Sequence, residues 1–256
     1  MNLELNGKRV LITGASRGIG FACAQGFVQE GCHVTLVASS DANLATALGQ
    51  LRSHDGAQVE AHRADLSDAE QLKALGPLMS NVDILVNNAG AIPGGGLEQV
   101  DAQRWRDAWD LKVFGYVDLA RMALAPMMSR GSGVIVNVIG SAGAAPRHDY
   151  VCGSTANAGL IAFTKAVGGY STQRGVRVLG VNPGPTETDR LVRLYKSRAQ
   201  ASLGDEARWP ELLADLPFGR PAHAAEMADI VVYLASARAS YLSGLVVDAD
   251  GGAMYR

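Results

Sequence analysis

Short apolar runs alternate along the chain with longer segments in which apolar residues recur at helical spacing. The short runs are predicted to be buried strands; they cover residues 9–13, 33–38, 58–63, 82–86, 134–138, 176–181 and 245–248. Helices are predicted at residues 19–30, 43–51, 101–128, 150–173 and 224–234, and a further helix is capped by Ser67 or Asp68. Because strands alternate with helices, the pattern predicts an α/β fold: a doubly wound parallel sheet with right-handed crossovers and helices on both faces.

No internal repeat, linker or low-complexity segment divides this pattern, so residues 1–256 are predicted to form one domain. An insertion at about residues 185–218 interrupts the alternation of strands and helices. It combines basic residues with apolar ones. The basic residues are Arg190, Arg193, Lys196 and Arg198, and the apolar ones are Leu191, Leu194, Tyr195, Leu203, Trp209, Leu212 and Leu213. Such a segment suits a lid over a small, largely apolar substrate. The alternative is a segment that packs on its own apolar residues with its charges in water.

Composition and charge narrow the classes of function. A chain of 256 residues, 48% of them hydrophobic, can bury one sizeable core, and its net charge of -2 gives no reason to expect nucleic acid or an anionic membrane as partner. No uncharged apolar run reaches the roughly 18 residues of a membrane span, and the first residues lack a signal-peptide core. Cys23, Cys32 and Cys152 are odd in number and lack metal-binding spacing, so we expect a reducing, cytoplasmic location and no metal site.

The first predicted strand runs directly into a glycine-rich turn, in the sequence KRVLITGASRGIG at residues 8–20. Gly14 ends the strand, and Gly18 and Gly20 precede a helical pattern, so the element reads strand, turn, helix. The free N–H groups and positive dipole end of such a helix can hold a pyrophosphate, and glycines allow its close approach. The spacing is G-x-x-x-G-x-G instead of the commoner dinucleotide pattern, and a tight turn without a ligand is the alternative.

Further motifs follow this turn in a set order. They are TGASRGIG at residues 13–20, Asp65-Leu66, NNAG at 87–90, NPG at 182–184 and DGG at 250–252. With these motifs the chain resembles the short-chain dehydrogenase/reductase family over nearly its whole length. The resemblance implies a seven-stranded Rossmann-like sheet, hydride transfer with a nicotinamide cofactor, a small-molecule substrate, and assembly as a homo-oligomer, either a dimer or a tetramer.

The resemblance also implies which residues hold the cofactor. Phosphates and ribose would be held by Gly14, Ser16, Arg17, Gly18, Ile19 and Gly20, adenine by Asp65 and Leu66, the middle of the cofactor by Asn88, Ala89 and Gly90, and the nicotinamide by Pro183, Gly184, Thr186 and Thr188. Asn87 would instead tie adjacent strands together.

The choice between the two nicotinamide cofactors depends on charge at the end of the second strand. An acidic residue there would accept hydrogen bonds from the ribose hydroxyls and repel a 2′-phosphate, but this chain has Ser39 and no carboxylate before Asp41. Arg17, in the glycine turn, is placed to meet a phosphate with a charged hydrogen bond. We therefore expect NADP(H) in preference to NAD(H).

The family's usual catalytic residues, an asparagine, a serine, a tyrosine and a lysine, are replaced in this chain. Counting from the strand VIVN that ends at Asn137 places the serine at Gly140, the tyrosine at Gly153 and the lysine at Asn157. The family's asparagine falls on Lys112. Relative to the family, lysine and asparagine have thus exchanged helices. The ammonium group would therefore enter the pocket from the helix at residues 101–128 instead of the helix at residues 150–173.

Three neighbouring residues are candidates for the lost chemistry. Tyr150 lies seven positions before Asn157, two helical turns on one face, a spacing that resembles the enoyl-acyl carrier protein reductase branch of the family, and we expect it to donate the proton or else to line the pocket. Burial would lower the pKa of Lys112 and make it a proton donor or relay; otherwise it satisfies carbonyl groups in a helix kink. Ser141 would orient a carbonyl oxygen if the loop shifts by one residue, or is a loop hydroxyl.

Two functions from different classes fit these residues. One is an NADP(H)-dependent oxidoreductase that acts on a carbonyl or an activated double bond with relocated proton donors, namely Tyr150 and Lys112 with Ser141 and Asn157. The other is a nucleotide-binding protein without catalysis, which serves as a sensor or partner subunit. The polar replacements in the pocket favour the enzyme.

Overall fold

The computed structural model describes residues 2–54 and 56–255. Its centre is one parallel sheet of seven strands in the order β3-β2-β1-β4-β5-β6-β7. The strands are β1 (Arg9–Thr13), β2 (His33–Ala38), β3 (Gln58–Arg63), β4 (Ile84–Asn87), β5 (Gly133–Val138), β6 (Val176–Pro183) and β7 (Val246–Ala249). The predicted doubly wound, Rossmann-like α/β fold is confirmed.

The helices lie on both faces of this sheet. They are α1 (Gly18–Gln29), α2 (Asp41–Arg52), α3 (Ala69–Ala74), α4 (Gly76–Met79), α5 (Ala102–Trp109), α6 (Gly115–Arg130), α7 (Val151–Ser171), α8 (Asp189–Leu203) and α9 (Ala224–Ala235). Short 3₁₀ turns occur at several connections, the longest at Glu206–Leu213 after α8. Within the described chain, residues 2–54 and 56–255, no helix is long and apolar enough to cross a membrane.

Two helix predictions differ in detail from the structure. The helix predicted at residues 101–128 is divided by a π-helical turn, Asp110–Phe114, which contains Lys112. A π turn inserts an extra residue into the helical repeat, which apolar periodicity does not reveal. The second difference concerns Tyr150, which takes the N-cap position in a non-helical conformation, so that α7 begins one residue later, at Val151.

Apolar side chains cover both faces of the sheet because successive strand residues point to opposite sides. Val10 and Ile12 of β1 lie in one core with helices α1, α2 and α9, and Leu11 between them lies in the other core with α6. Strands buried on both faces explain the continuous apolar runs in the sequence. The loops at the carboxyl ends of the strands remain free to form a site.

The strand order reverses at β1, whose neighbours β2 and β4 continue the chain on opposite sides. Ligands of open α/β sheets bind in the crevice at such a reversal. The buried Asn87 amide donates to Asn137 Oδ1 across 3.0 Å, where β4 and β5 end side by side. This bond confirms that Asn87 ties adjacent strands together next to the crevice.

Candidate active site

The glycine turn between β1 and α1 forms one wall of the crevice. Gly14 and Gly18 have φ values of 62° and 57°, in the left-handed region that side chains with a β-carbon disfavour. A β-carbon at Gly20 would overlap the carbonyl group of Gly14. The turn is therefore as tight as the sequence predicted, and glycine is required at these positions.

The start of α1 offers hydrogen-bond donors to a ligand. Its N-cap residue, Arg17, is extended and makes no side-chain bond to the first turn, whereas α2, α3 and α8 are capped by Ser40, Asp68 and Thr188. The first N–H groups of an uncapped helix have no intrahelical acceptor. A phosphate at this position would supply one, so the residues present fit the pyrophosphate of a dinucleotide.

The loops after β4 and β3 carry two other predicted cofactor segments. Asn88 Nδ2 donates to the carbonyl oxygens of Thr13 and Gly14 across 3.0 and 3.2 Å, and the Thr13 hydroxyl accepts from the backbone of Asn88 and Ala89. Asp65 Oδ1 accepts from the backbone N–H and hydroxyl of Ser67. The Asn88 bonds hold the loop after β4 against the glycine turn. The Asp65 bonds stabilise the loop after β3 internally and leave the second carboxylate oxygen of Asp65 without a partner among the described residues.

The segment predicted for the nicotinamide contacts the glycine turn from the opposite side. A β-carbon at Gly184 would lie 2.8 Å from Asp250 Cα, which connects the NPG and DGG motifs. A β-carbon at Gly18 would lie 3.2 Å from the Thr188 methyl group. The Thr188 hydroxyl accepts from Leu191 N and caps α8. The structure thus brings the predicted pyrophosphate and nicotinamide segments together.

A basic residue that the sequence analysis missed lies beside the end of β2, on the neighbouring strand β3. Arg63, the last residue of β3, pairs in register with Ala38, and its Nε donates to the Ser39 carbonyl oxygen across 3.2 Å. Its guanidinium lies 3.4 Å from Asp41 on an exposed surface. Arg17 lies 4.0 Å from Asp189. The strand order β3-β2-β1 places the end of β3 beside Ser39. This order is the feature that indicates Arg63 as a candidate residue.

Lys112 crosses the floor of the crevice and meets Asn157. Its side chain is 6% exposed, and its Nζ donates to Ile139 O across 2.5 Å and to Asn157 Oδ1 across 2.9 Å. A β-carbon at Gly90 would lie 3.1 Å from Lys112 Cδ, so the lysine stem runs directly under the NNAG loop. The two polar residues predicted to have exchanged helices are in contact.

The environment of Lys112 disfavours its charged form. Burial lowers the pKa of Lys112 from its ordinary value of 10.5 to about 7, and the positive charge of Arg190 adds to the effect. Two acceptors satisfy two of the three possible donor hydrogens. Lys112 can therefore exchange a proton near neutral pH while its position stays fixed.

Helix α8, in the insertion predicted to form a lid, contacts the loop that follows β4 and the segment before α7. Arg190 Nη1 donates to Gly90 O across 2.9 Å, and Nη2 donates to the Tyr150 hydroxyl across 2.6 Å. Farther along α8, Arg198 lies 3.3 Å from Asp149. Leu194 packs on Gly94, where a β-carbon would come within 3.0 Å of its Cδ1. The insertion therefore packs on the loop after β4 and on the segment before α7. Arg190 and Arg63 both contact residues of the candidate site, and the sequence analysis assigned neither of them an individual role.

Comparison with known proteins identifies the family. Residues 8–199 match the family model described as short chain dehydrogenase. The chain belongs to the short-chain dehydrogenase family. It is 34% identical to the 3-oxoacyl-(acyl-carrier-protein) reductase FabG of Vibrio harveyi over 256 residues, covering 98% of both chains.

Solved structures of similar proteins agree with this assignment. The L-sorbose reductase of Gluconobacter frateurii, in complex with NADPH and L-sorbose, has a TM-score of 0.91 at 30% identity over 100% of both chains. An actinorhodin polyketide ketoreductase variant with NADPH also has a TM-score of 0.91, at 27% identity over 98% of both chains. These short-chain dehydrogenases share the whole of the fold described above.

Gly140 and Gly153, the two glycines predicted to stand at the short-chain dehydrogenase positions for serine and tyrosine, lie against other side chains. A β-carbon at Gly153 would overlap the ring of Tyr150, and one at Gly140 would lie 2.8 Å from Asn157 Nδ2. Tyr150 does not project from a helical face as its spacing suggested, because it precedes α7. Its ring instead folds back onto Gly153. Burial raises the pKa of Tyr150, and Arg190 opposes that rise.

Other candidate residues have different surroundings. Ser141 begins a 3₁₀ turn, and its hydroxyl makes no hydrogen bond within residues 2–54 and 56–255. Asp149 pairs with Arg147 and Arg198, and the hydrogen bond from Arg147 lowers its pKa, so it stays ionised. Cys152 is fully buried, and burial raises the pKa of its thiol. A buried neutral thiol behaves as a small apolar residue.

Proposed function

We propose that this short-chain dehydrogenase is an NADP(H)-dependent oxidoreductase that transfers a hydride to or from a carbonyl or an activated double bond of a small, largely apolar substrate. The observation that carries the proposal is the Tyr150 ring, which occupies the space left by Gly153 and keeps a hydroxyl in the crevice. The related FabG is a reductase, and the two similar solved structures were obtained with NADPH.

The cofactor would lie along the carboxyl ends of the strands. The glycine turn with Ser16, Arg17 and Ile19 would hold its phosphates, Asp65 and Leu66 its adenine, and the segment from Pro183 to Thr188 its nicotinamide. When bound, the cofactor supplies or accepts the hydride. The protein has to orient the substrate, exclude water and handle the proton that accompanies the hydride.

Proton transfer is assigned to Tyr150. In carbonyl reduction the substrate carbon gains a hydride from the reduced cofactor, and its oxygen gains the proton of the Tyr150 hydroxyl, which solvent then restores. Ser141, close by, would orient the same oxygen. Lys112, held by Asn157, would relay protons beneath the site, because its pKa of about 7 allows both protonation states at neutral pH.

A preference for NADP(H) is supported by charge at the end of β2. Arg63 reaches the Ser39 carbonyl, and Arg17 lies in the adjacent glycine turn, so two guanidinium groups border the position of a ribose 2′-phosphate. Arginine suits phosphate through charge-assisted, forked hydrogen bonds. The nearest carboxylate, Asp41, is already paired with Arg63.

The insertion would act as the substrate lid. Its helix α8 buries Leu191 and Tyr195 on one side and places Leu194 against Gly94 on the crevice side. With a substrate bound, these contacts would help to exclude water from the hydride path.

We further propose that the protein is a homo-oligomer. Helix α9 and the segment that joins it to the edge strand β7 carry exposed large apolar side chains: Tyr233, Tyr241 and Leu245 are 41%, 102% and 40% exposed. Exposed apolar patches beside a sheet edge mark surfaces that associate. Light scattering after gel filtration would distinguish a monomer from a dimer or a tetramer.

One specific observation favours a second candidate, nucleotide binding without turnover. Gly140 and Gly153 have no side chain that could donate a proton, and Lys112 already satisfies the Ile139 carbonyl, as a structural lysine would. A sensor or partner subunit would need only the cofactor contacts.

Cofactor binding and turnover measurements distinguish the proposed oxidoreductase from a nucleotide-binding protein without turnover. NADPH and NADH are titrated against the protein by tryptophan fluorescence, and oxidation of NADPH is then followed with ketones, quinones and enoyl thioesters. Turnover on a ketone or an enoyl thioester that requires Tyr150 would establish the proposed reaction. Binding with no turnover on any class would establish the second candidate, and no binding of either cofactor would contradict both.

A further inference from the structure

The strongest polar contact of the candidate proton donor comes from the lid. Arg190 Nη2 donates to the Tyr150 hydroxyl across 2.6 Å, and Arg190 Nη1 donates to Gly90 O. Arg190 is the second residue of α8 and lies two positions after Thr188, which caps this helix. One guanidinium thus joins the start of the lid, the NNAG loop and Tyr150.

The contact has a defined electrostatic effect on Tyr150. A guanidinium that donates to a phenol oxygen stabilises the phenolate more than the neutral phenol, since charge-assisted hydrogen bonds are the stronger ones. Burial acts in the opposite direction, and the neighbouring Cys152 adds to it. Arg198 also faces Tyr150, but the carboxylate of Asp149 lies 3.3 Å from it and offsets its charge. Arg190 is therefore the main group that favours ionisation.

Lys112 is not placed to supply this effect. Its Nζ is bonded to Ile139 O and Asn157 Oδ1, and no hydrogen bond joins it to Tyr150 within the described chain. The lysine position of the family, Asn157, carries no charge. A cation is nevertheless present beside Tyr150, the proposed proton donor. This cation is Arg190, and it belongs to α8 instead of α7.

We propose that Arg190 is the positioning residue that holds Tyr150 and promotes its ionisation, so that the acid and its cation assemble only when the lid helix lies against the NNAG loop. The inference rests on the proposed role of Tyr150. It assigns the lid a second task, since opening the lid removes the cation from Tyr150 as well as exposing the crevice. Proton transfer is thereby confined to the closed enzyme, in which water is excluded.

The test is a comparison of Arg190→Met, Arg190→Lys and Arg193→Met. Arg193 lies one turn along α8 and is exposed, and its side chain makes no hydrogen bond with the described residues, so it is the matched control. The ultraviolet absorbance of tyrosinate is followed during alkaline titration, and the signal of Tyr150 is isolated by subtracting the titration of Tyr150→Phe. The pH profile of alcohol oxidation is measured on the same proteins.

Loss of a charge-assisted hydrogen bond should move the titration of Tyr150 upward by about one pH unit or more in Arg190→Met. The pH at which oxidation becomes fast should move with it, Arg190→Lys should restore part of the shift, and Arg193→Met should match the wild type. An unchanged Tyr150 titration in Arg190→Met overturns the inference, whatever happens to turnover. If the titration moves but the wild type turns over no alcohol, ketone or enoyl thioester, the pairing stands and the proposed function fails.

Discussion

Lys112 Nζ and Asn157 Oδ1 lie 2.9 Å apart at the floor of the crevice, joining the π turn before α6 to the middle of α7. The motif spacing predicts that each residue occupies the position at which the family carries the other. On that prediction the pair keeps a lysine and an amide in the candidate site and reverses the side from which each enters.

The buried Lys112 should make stability depend on pH. Burial lowers the pKa of Lys112 to about 7, below its ordinary value of 10.5. Between these values the unfolded chain holds a proton that the folded chain lacks, so the free energy of unfolding should rise with pH across that window. The rise from this one group is at most about 1.4 kcal/mol per pH unit.

Lys112→Met should remove this component, as measured by urea denaturation from about pH 7 to about pH 10. Lys165→Met, at an exposed lysine of α7, serves as control and should keep the wild-type slope. Equal slopes for Lys112→Met and the wild type would show that Lys112 does not titrate in this range.

Because Lys112 and Asn157 are in contact, substitutions at these two positions should have non-additive effects on the free energy of unfolding. Asn157→Lys alone places a second ammonium beside Lys112 and should destabilise the protein, and adding Lys112→Asn should recover much of that loss. Neighbouring residues typically couple by about 0.5–3 kcal/mol in such cycles. Denaturation of the wild type, both single variants and the double variant measures the coupling, and additive effects would contradict a direct interaction.

Tyr150→Phe should abolish proton donation without loss of cofactor binding. We expect turnover to fall about 100-fold or more, because general acid catalysis contributes that much, and the Kd for NADPH to remain within about twofold. Tyr170→Phe, at an exposed tyrosine on α7, should leave both quantities unchanged. Retained turnover in Tyr150→Phe would assign the proton to another group.

Gly153 should be required for the position of the Tyr150 ring. Gly153→Ala places a methyl group in the space of that ring, so the ring must move, and turnover should fall as in Tyr150→Phe. Gly159 lies on the same helix with open space at its β-carbon position, so Gly159→Ala should keep turnover and stabilise the helix by about 0.5–1 kcal/mol. Comparable activity of both variants would place the functional tyrosine elsewhere.

Arg63 should discriminate between the two cofactors. Arg63→Met should raise the Kd for NADPH about tenfold or more, since a charge-assisted hydrogen bond to phosphate contributes about 1.5–3 kcal/mol, with little effect on NADH. Arg174→Met, at an exposed arginine just before β6, is the control. Both affinities come from fluorescence titration, and a parallel loss for NADPH and NADH would indicate a structural role for Arg63.

The resemblance allowed the meeting of Lys112 and Asn157 to be anticipated, because motif spacing placed both on helices that border the same crevice. Motif spacing does not predict the contacts of Arg190 and Arg63. Arg190 follows Tyr150 by forty positions, and their contact depends on how α8 crosses the NNAG loop. The predicted helical spacing of Tyr150 also failed, since the chain enters α7 one residue later and the ring turns back over Gly153.

The sequence by itself determined the strands, the helices, the glycine turn and the order of the motifs, since apolar periodicity and motif spacing are local properties of the chain. Only the tertiary structure decided which side chains lie against Gly140 and Gly153 and which cation meets the tyrosine. Those contacts join segments far apart in sequence, and they depend on helix crossings and side-chain directions that no local pattern encodes.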